Sequence, residues 1–198
     1  DGGADPNWTY AHLHNLVVRA RNELSIEIAW RKDQIPEDVI SAEPSNGFSR
    51  THFAVADILE LTEEKGKKGK VGLFVYVKSS VTAPSRKKDV SLQSDSYKYK
   101  TYHPAFPHES TADQFFDKAQ WEAYHHLGYF IAEDVIRGRV PKSGATIPTS
   151  IDELYEHFNN YEHQDPEYSI HGQEEKEYME IKEFIQYKEE TEQKKIDP

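Results

Sequence analysis

At 198 residues and 36% hydrophobic content the chain is long enough to bury a core of its own. It has no cysteine, which excludes disulfide staples, thiolate zinc sites and a cysteine nucleophile, and nothing in it points to an oxidising compartment. The formal charge of −11 is concentrated in the tail: residues 1–150 hold 20 acidic against 19 basic side chains, residues 151–198 hold 15 against 5, so that segment repels nucleic acid and anionic membrane.

The chain opens on Asp1-Gly2-Gly3-Ala4-Asp5-Pro6, a turn-forming run of the kind that follows a strand, and the reading expects further sequence upstream. Leu13, Leu16, Val17, Ala20 and Leu24 then recur at spacings of three and four. They form the apolar stripe of an amphipathic helix over 9–24, capped by Asn7 or Thr9. Ile26-Glu27-Ile28-Ala29-Trp30 alternates as a half-buried strand does.

A second strand is expected over 52–61, with Phe53, Val55 and Asp57 on one side and Ala54, Ala56 and Ile58 on the other. The basic, glycine-containing link 63–70 leads into the apolar run Val71-Gly72-Leu73-Phe74-Val75-Tyr76-Val77, so a hairpin is the economical connection. Continuous apolarity in that third run predicts a central strand covered on both faces, with Lys78 marking its exit. Residues 79–100, rich in Ser, Lys and Asp, read as a long loop held only if its tyrosines dock.

From Thr111 to 136 the pattern is helical again, with Phe115, Phe116, Ala119, Ala123, Leu127, Phe130, Ile131 and Val135 as its buried stripe and Ser110 or Thr111 as cap. A linker at 141–150 precedes an acidic tail, 151–198. In that tail a short helix over 151–158 carries a Ser150 and Glu153 capping box, and a charged helix is expected over 172–195, either as a solvated face or as an interaction tail. The longest apolar runs fall far short of the ~20 residues of a membrane-spanning helix, and no stretch reads as a signal peptide.

Ten histidines invite a metal hypothesis, which their spacing does not support. His12 and His14 on a helix diverge by ~200°, and adjacent His125 and His126 fail likewise. His103 and His108 flank a proline-rich turn, but no carboxylate pattern completes a site. There is no G-x-S-x-G elbow, no P-loop and no G-x-G-x-x-G. Asp113, Gln114 and Asp117 either present polar groups at a helix start or simply cap it.

The stretch from Tyr102-His103-Pro104-Ala105-Phe106-Pro107-His108-Glu109-Ser110-Thr111 through Asp113-Gln114-Phe115 to Gln120-Trp121-Glu122-Ala123-Tyr124 and Leu127-Gly128 resembles, without gaps, the terminal motif of bacterial patatin-like phospholipases. The opening Asp1-Gly2-Gly3-Ala4-Asp5-Pro6 and ensuing helix look like that family's D-A-G-A-D-P turn, so the resemblance spans roughly residues 1–136. It implies the C-terminal part, residues 1–140, of a three-layer α/β hydrolase with strands at 26–30, 52–61 and 71–77, acting on lipid acyl esters without metal or organic cofactor. In that family a serine and an aspartate form the catalytic dyad beside a glycine-rich oxyanion loop. The resemblance places the serine and that loop upstream, so the chain alone is expected to be inactive and any membrane contact to come from the upstream region.

Asp1-Gly2-Gly3 also spells the family's D-G-[GA] acid motif, which makes Asp1 the one candidate catalytic residue here. Because Ala4-Asp5-Pro6 follows it, the turn is assigned to the later, non-catalytic copy. The expected compartment is non-oxidising, the cytoplasm or the cytoplasmic face of a membrane. The rival reading is a non-enzymatic module that binds a protein partner through the aromatic motif and the acidic tail.

Overall fold

The computed structural model describes residues 1–45, 47–61, 68–82, 90–110, 112, 115–137 and 148–161. Their elements in chain order are α1 (Ala11–Leu24), β1 (Ile26–Trp30), α2 (Pro36–Val39), β2 (Phe53–Leu61), β3 (Lys68–Val77), α3 (Val90–Tyr102), α4 (Lys118–Arg137) and α5 (Ile151–Asn159). The chain is mixed α/β, built on a three-stranded antiparallel sheet in the order β1-β2-β3.

Strand period explains how the sheet is covered. Side chains alternate along β2, so Ala54 and Ala56 face one way and Phe53 and Val55 the other. The alanines lie under α1, whose Tyr10, Leu13, Val17 and Ala20 meet Trp30, Phe74 and Tyr76 there. Their small side chains let the helix come close. On the opposite face Phe53 and Val55 meet Phe158 of α5, with Leu73, Val75, Val77 and Val135 around them. Fully burying a side chain of that size contributes about 1.5–3 kcal/mol.

The central strand is therefore β2. β3, expected there from its apolar run, is an edge strand among the described residues. Its beginning is irregular: Ile58 pairs with Gly72 and Leu59 with Lys70, so Val71 is an extra residue and stands 59% exposed. The residues linking β2 to β3 at 62–67, and the tail at 162–198 with its expected helix over 172–195, lie outside the described residues.

Helix starts depart from the sequence reading in an instructive way. Neither Asn7 nor Thr9 caps α1. The helix start has no side-chain cap; the Asp5 carboxylate instead fixes the turn that leads into it, accepting the backbone N–H groups of Thr9 and Tyr10, each at 2.9 Å, and the Thr9 hydroxyl at 3.0 Å. Leu16 and Leu24 of the expected stripe are exposed at 47% and 67%, because α1 buries only a narrow strip. α4 begins at Lys118, not 111: Asp117 Oδ1 accepts the Gln120 N–H at 2.7 Å and caps it, while Ser110 Oγ accepts the Ala112 N–H in a local turn. Phe115, Phe116 and Ala119 are exposed as a result, and the buried stripe is Ala123, Leu127 and Ile131.

Residues 90–100 of the expected loop belong to α3, which runs on to Tyr102. Among the described side chains of α3 the buried ones are Ser96, Tyr97 and Tyr99, in a run of Lys, Ser and Asp whose hydropathy does not mark a helix. Tyr97 and Tyr99 join Phe106 and the α4 stripe, and Ser96 Oγ donates to Ala123 C=O at 3.0 Å. Ser150 caps α5 by accepting the Glu153 N–H at 3.1 Å, and the Glu153 carboxylate reaches back to Thr149 N–H at 2.7 Å and its hydroxyl at 3.0 Å. α5 packs on the sheet through Phe158, which meets Phe53 and Val55.

Arg31 fastens that join. Its guanidinium donates to the carbonyls of Phe158 and Tyr161 at the end of α5, at 2.7 and 3.2 Å, and to Asp57 Oδ1 at 2.8 Å. Burial pushes the Asp57 carboxyl up, but hydrogen bonds from Arg31 and Lys70 outweigh it and hold the group below the usual carboxylate range.

Candidate functional site

The chemistry-bearing side chains collect where β3 ends. Lys78 follows the last residue of β3 and donates its backbone N–H to His52 C=O at 3.0 Å. Its side chain is only 1% exposed. The ammonium lies 3.2 Å from Asp1 Oδ2, 4.0 Å from Asp5 Oδ2 and 3.5 Å from Gly3 C=O, and 5.9 Å from the centre of the Tyr10 ring. A buried ammonium needs such partners, since desolvation disfavours the charge. Burial lowers the Lys78 pKa from its ordinary value, with Asp5 working in the opposite direction.

The two carboxylates are satisfied differently. Asp1 accepts the Gly3 N–H at 2.9 Å and the Tyr76 hydroxyl at 2.7 Å besides the lysine. For Asp5, burial acts upward, but the backbone N–H groups of Thr9 and Tyr10, the Thr9 hydroxyl and Lys78 together hold its pKa below the usual value. Tyr76 and Tyr10 are pushed up by burial and stay phenols, with Tyr10 donating to Pro36 C=O at 3.1 Å and lying 3.0 Å from Ser41 Oγ.

The histidine-proline motif reaches the same place. The Asp5 N–H donates to His108 Nδ1 at 3.4 Å, which assigns the ring hydrogen to Nε2. The His108 and Trp8 rings meet at right angles with centroids 4.5 Å apart, and burial, then Lys78, push the His108 pKa down to about 4. His108 is thus a neutral, buried histidine whose Nε2 has no hydrogen-bond partner among the described residues. Next to it Glu109 accepts from Tyr99 OH and Gln120 Nε2, both at 3.1 Å, and its carboxylate is 3.6 Å from His103, whose ring stacks on Tyr99 at 3.9 Å. Tyr124 is pushed up to about 12 by burial and then by Glu109. One acidic side chain therefore joins the motif's turn to both α3 and α4.

Among the described residues, the groups around Asp1 comprise a lysine, a tyrosine and backbone, not a serine or histidine. Charge neutralisation and anchoring of the chain's first ten residues are what this arrangement does chemically. Asp117 serves as a helix cap, and Asp113 and Gln114 lie outside the described residues. The remaining histidines are dispersed: His14 Nε2 is 2.6 Å from Glu37, and His126 Nδ1 is 3.1 Å from Asp95. Among the described residues no group of three His, Asp or Glu side chains is placed to hold a metal ion, and no helix is long and apolar enough to cross a membrane.

A serine and histidine pair escaped the sequence reading. His52 Nδ1 lies 2.9 Å from Ser80 Oγ, and Nε2 lies 3.2 Å from Thr82 Oγ1. Ser80 Oγ in turn donates to Thr51 C=O at 3.3 Å, so its hydrogen is committed to the backbone and the ring nitrogen donates to it. Both side chains are fully buried, and the adjoining cavity, lined by His52, Thr82, Ser96, Tyr97 and Phe130 among others, measures only ~10 Å³. That is room for one water and not for an acyl chain. The pair ties the two strand ends together. The only advance signal for Lys78 was a lysine among small and apolar residues with two unpaired acids at the chain's start.

No protein-family model matches this chain, and comparison with curated proteins and with solved structures found no significant match to either.

Proposed function

We propose that this chain is the C-terminal part of a patatin-like lipid acyl hydrolase, a scaffold that completes the α/β core of an enzyme whose serine and oxyanion loop lie upstream. The observation that carries this reading is the meeting of the two motifs on which the resemblance rests. Asp5, from the opening D-G-G-A-D-P turn, bonds to His108, from the H-P-A-F-P-H turn more than a hundred residues later, and Trp8 lies against the same ring. Both motifs serve one buried junction, which gives a physical reason for them to occur together. The role of Asp1 as a lysine partner agrees with its assignment to the non-catalytic turn. A chromogenic short-chain ester tests the reading: the parent protein turns it over and this chain does not. Robust turnover by the chain alone would refute it.

A second reading, a module that binds a protein partner, is favoured by the exposed aromatics Phe115, Phe116, Trp121 and Tyr129, at 94%, 52%, 65% and 56%. Sedimentation separates the two, since a partner-binding tail predicts association that disappears on trimming residues 172–198.

A further inference from the structure

Among the described residues β3 has a neighbouring strand on one side, and its other edge lacks the usual protection. Edge strands generally carry charges, prolines or bulges that discourage further pairing. Here Lys70 and the extra residue Val71 guard the beginning of the strand, whereas Leu73-Phe74-Val75-Tyr76-Val77 carries no charge and has both faces covered, by α1 and α5. That is how an interior strand is built.

The end of this edge is already paired. The amino group of Asp1 donates to Val77 C=O at 2.5 Å, and Ser79 N–H donates to Asp1 C=O at 3.2 Å. Two bonds that converge on one residue from positions 77 and 79 are the pattern of a parallel ladder, with Asp1 opposite Lys78. The N–H of Lys78 itself points the other way, to His52 C=O. Alternation along the strand therefore turns the backbone groups of Val77, Val75 and Leu73 to the side on which Asp1 sits.

The helix agrees with this direction. β1 is antiparallel to β2, and β2 to β3, so a strand parallel to β3 is also parallel to β1. A parallel connection needs a crossover, normally a helix that lies over the strands it bridges. α1 lies there, its Tyr10 and Ala20 meeting Ala54 and Ala56 of β2 and Phe74 and Tyr76 of β3.

We infer that the β3 edge takes a fourth strand, parallel to β3 and formed by the residues that lead directly into Asp1 in the parent chain. The inference rests on the reading of this chain as the trailing part of a larger protein. Asp1 sets the register: the residue before it lies opposite Val77 and the third before it opposite Val75.

In the parent protein, freed of other cysteines, Val75→Cys combined with a cysteine at that third position forms a disulfide under mild oxidation. A cysteine one position further upstream, on the opposite face, does not. Amide exchange supplies a readout without substitution: Leu73, Val75 and Val77 exchange on the order of 100-fold more slowly in the parent than in the chain beginning at Asp1, while Phe74, Tyr76 and Lys78 are slow in both. Equal cross-linking in both registers, or rapid exchange of the three outward amides in the parent, overturns the inference. Protection that appears in the isolated chain and grows with its concentration also overturns it, because it assigns the edge to a second copy. Ester turnover is read separately: an inactive parent with the in-register disulfide refutes the hydrolase reading alone, and an active parent without it refutes the strand alone.

Discussion

Two buried polar groupings sit side by side where β3 ends, and they are built on opposite principles. Around Lys78 the components are charged, and the ammonium offsets the carboxylates of Asp1 and Asp5, gathered from the start of the chain. Around His52 they are neutral hydroxyls and carbonyls from residues 51, 80 and 82, all adjacent to the sheet. A charged group recruits partners from far along the chain and becomes hostage to each of them, since a lone buried ion is intolerable. A hydroxyl network loses one hydrogen bond at a time.

That contrast is open to direct attack. Lys78→Met, which keeps the length of the side chain, leaves two partly buried carboxylates without their cation and is expected to cost ~3–5 kcal/mol in urea denaturation. The loss should shrink as pH falls far enough to protonate the acids. Asp5 has a depressed folded pKa, so its stabilisation is present above its unfolded value and is lost as pH falls through the folded one. If Lys78→Met costs no more than a single hydrogen bond, the ionic account of this junction is wrong.

His108 probes the boundary of the charged grouping. Its folded pKa is pushed down to about 4 from an ordinary 6.5, so between those values the unfolded chain binds the extra proton. Stability is therefore full well above pH 6.5 and declines toward pH 4, by ~3 kcal/mol for this residue alone. Urea midpoints measured across that window should show the slope, and His108→Gln should flatten it.

Among the neutral groups the effects are smaller. His52→Leu removes both ring contacts but leaves the Ser80 hydroxyl bonded to Thr51, so a loss of ~1–3 kcal/mol is expected. Thr82→Val removes one partner of the ring and should cost about 1 kcal/mol by the same measurement. A His52→Leu loss larger than that of Lys78→Met would reverse the comparison.

The strands were legible from the sequence because period two is a local property: 26–30 and 52–61 agree with β1 and β2 to within a residue, and 71–77 falls inside β3. The faces of β2 followed from the same alternation. The start of α5 was equally plain, since Ser150 and Glu153 lie within one turn of each other. α3 was missed because tyrosine bodies do its burying and their hydroxyls find Glu109 and the carbonyl of Thr82, partners invisible to any hydropathy pattern. The start of α4 was misplaced because Ser110, Thr111 and Asp117 all have capping side chains, and only the turn's path selects among them.

Amino-acid order alone determined what depends on neighbours: the alternation of the strands, the amphipathic stripe under α1, the absence of thiol chemistry and the acidic bias of the last segment. Tertiary structure decided the rest: that β2 is central among the described strands, that Asp5 fixes the turn before α1, and that Asp1 and Asp5 close on a lysine more than seventy residues away. The reason is physical. Periodicity records which side of an element is apolar, but a buried charge is settled only by whichever opposite charges the fold carries to it.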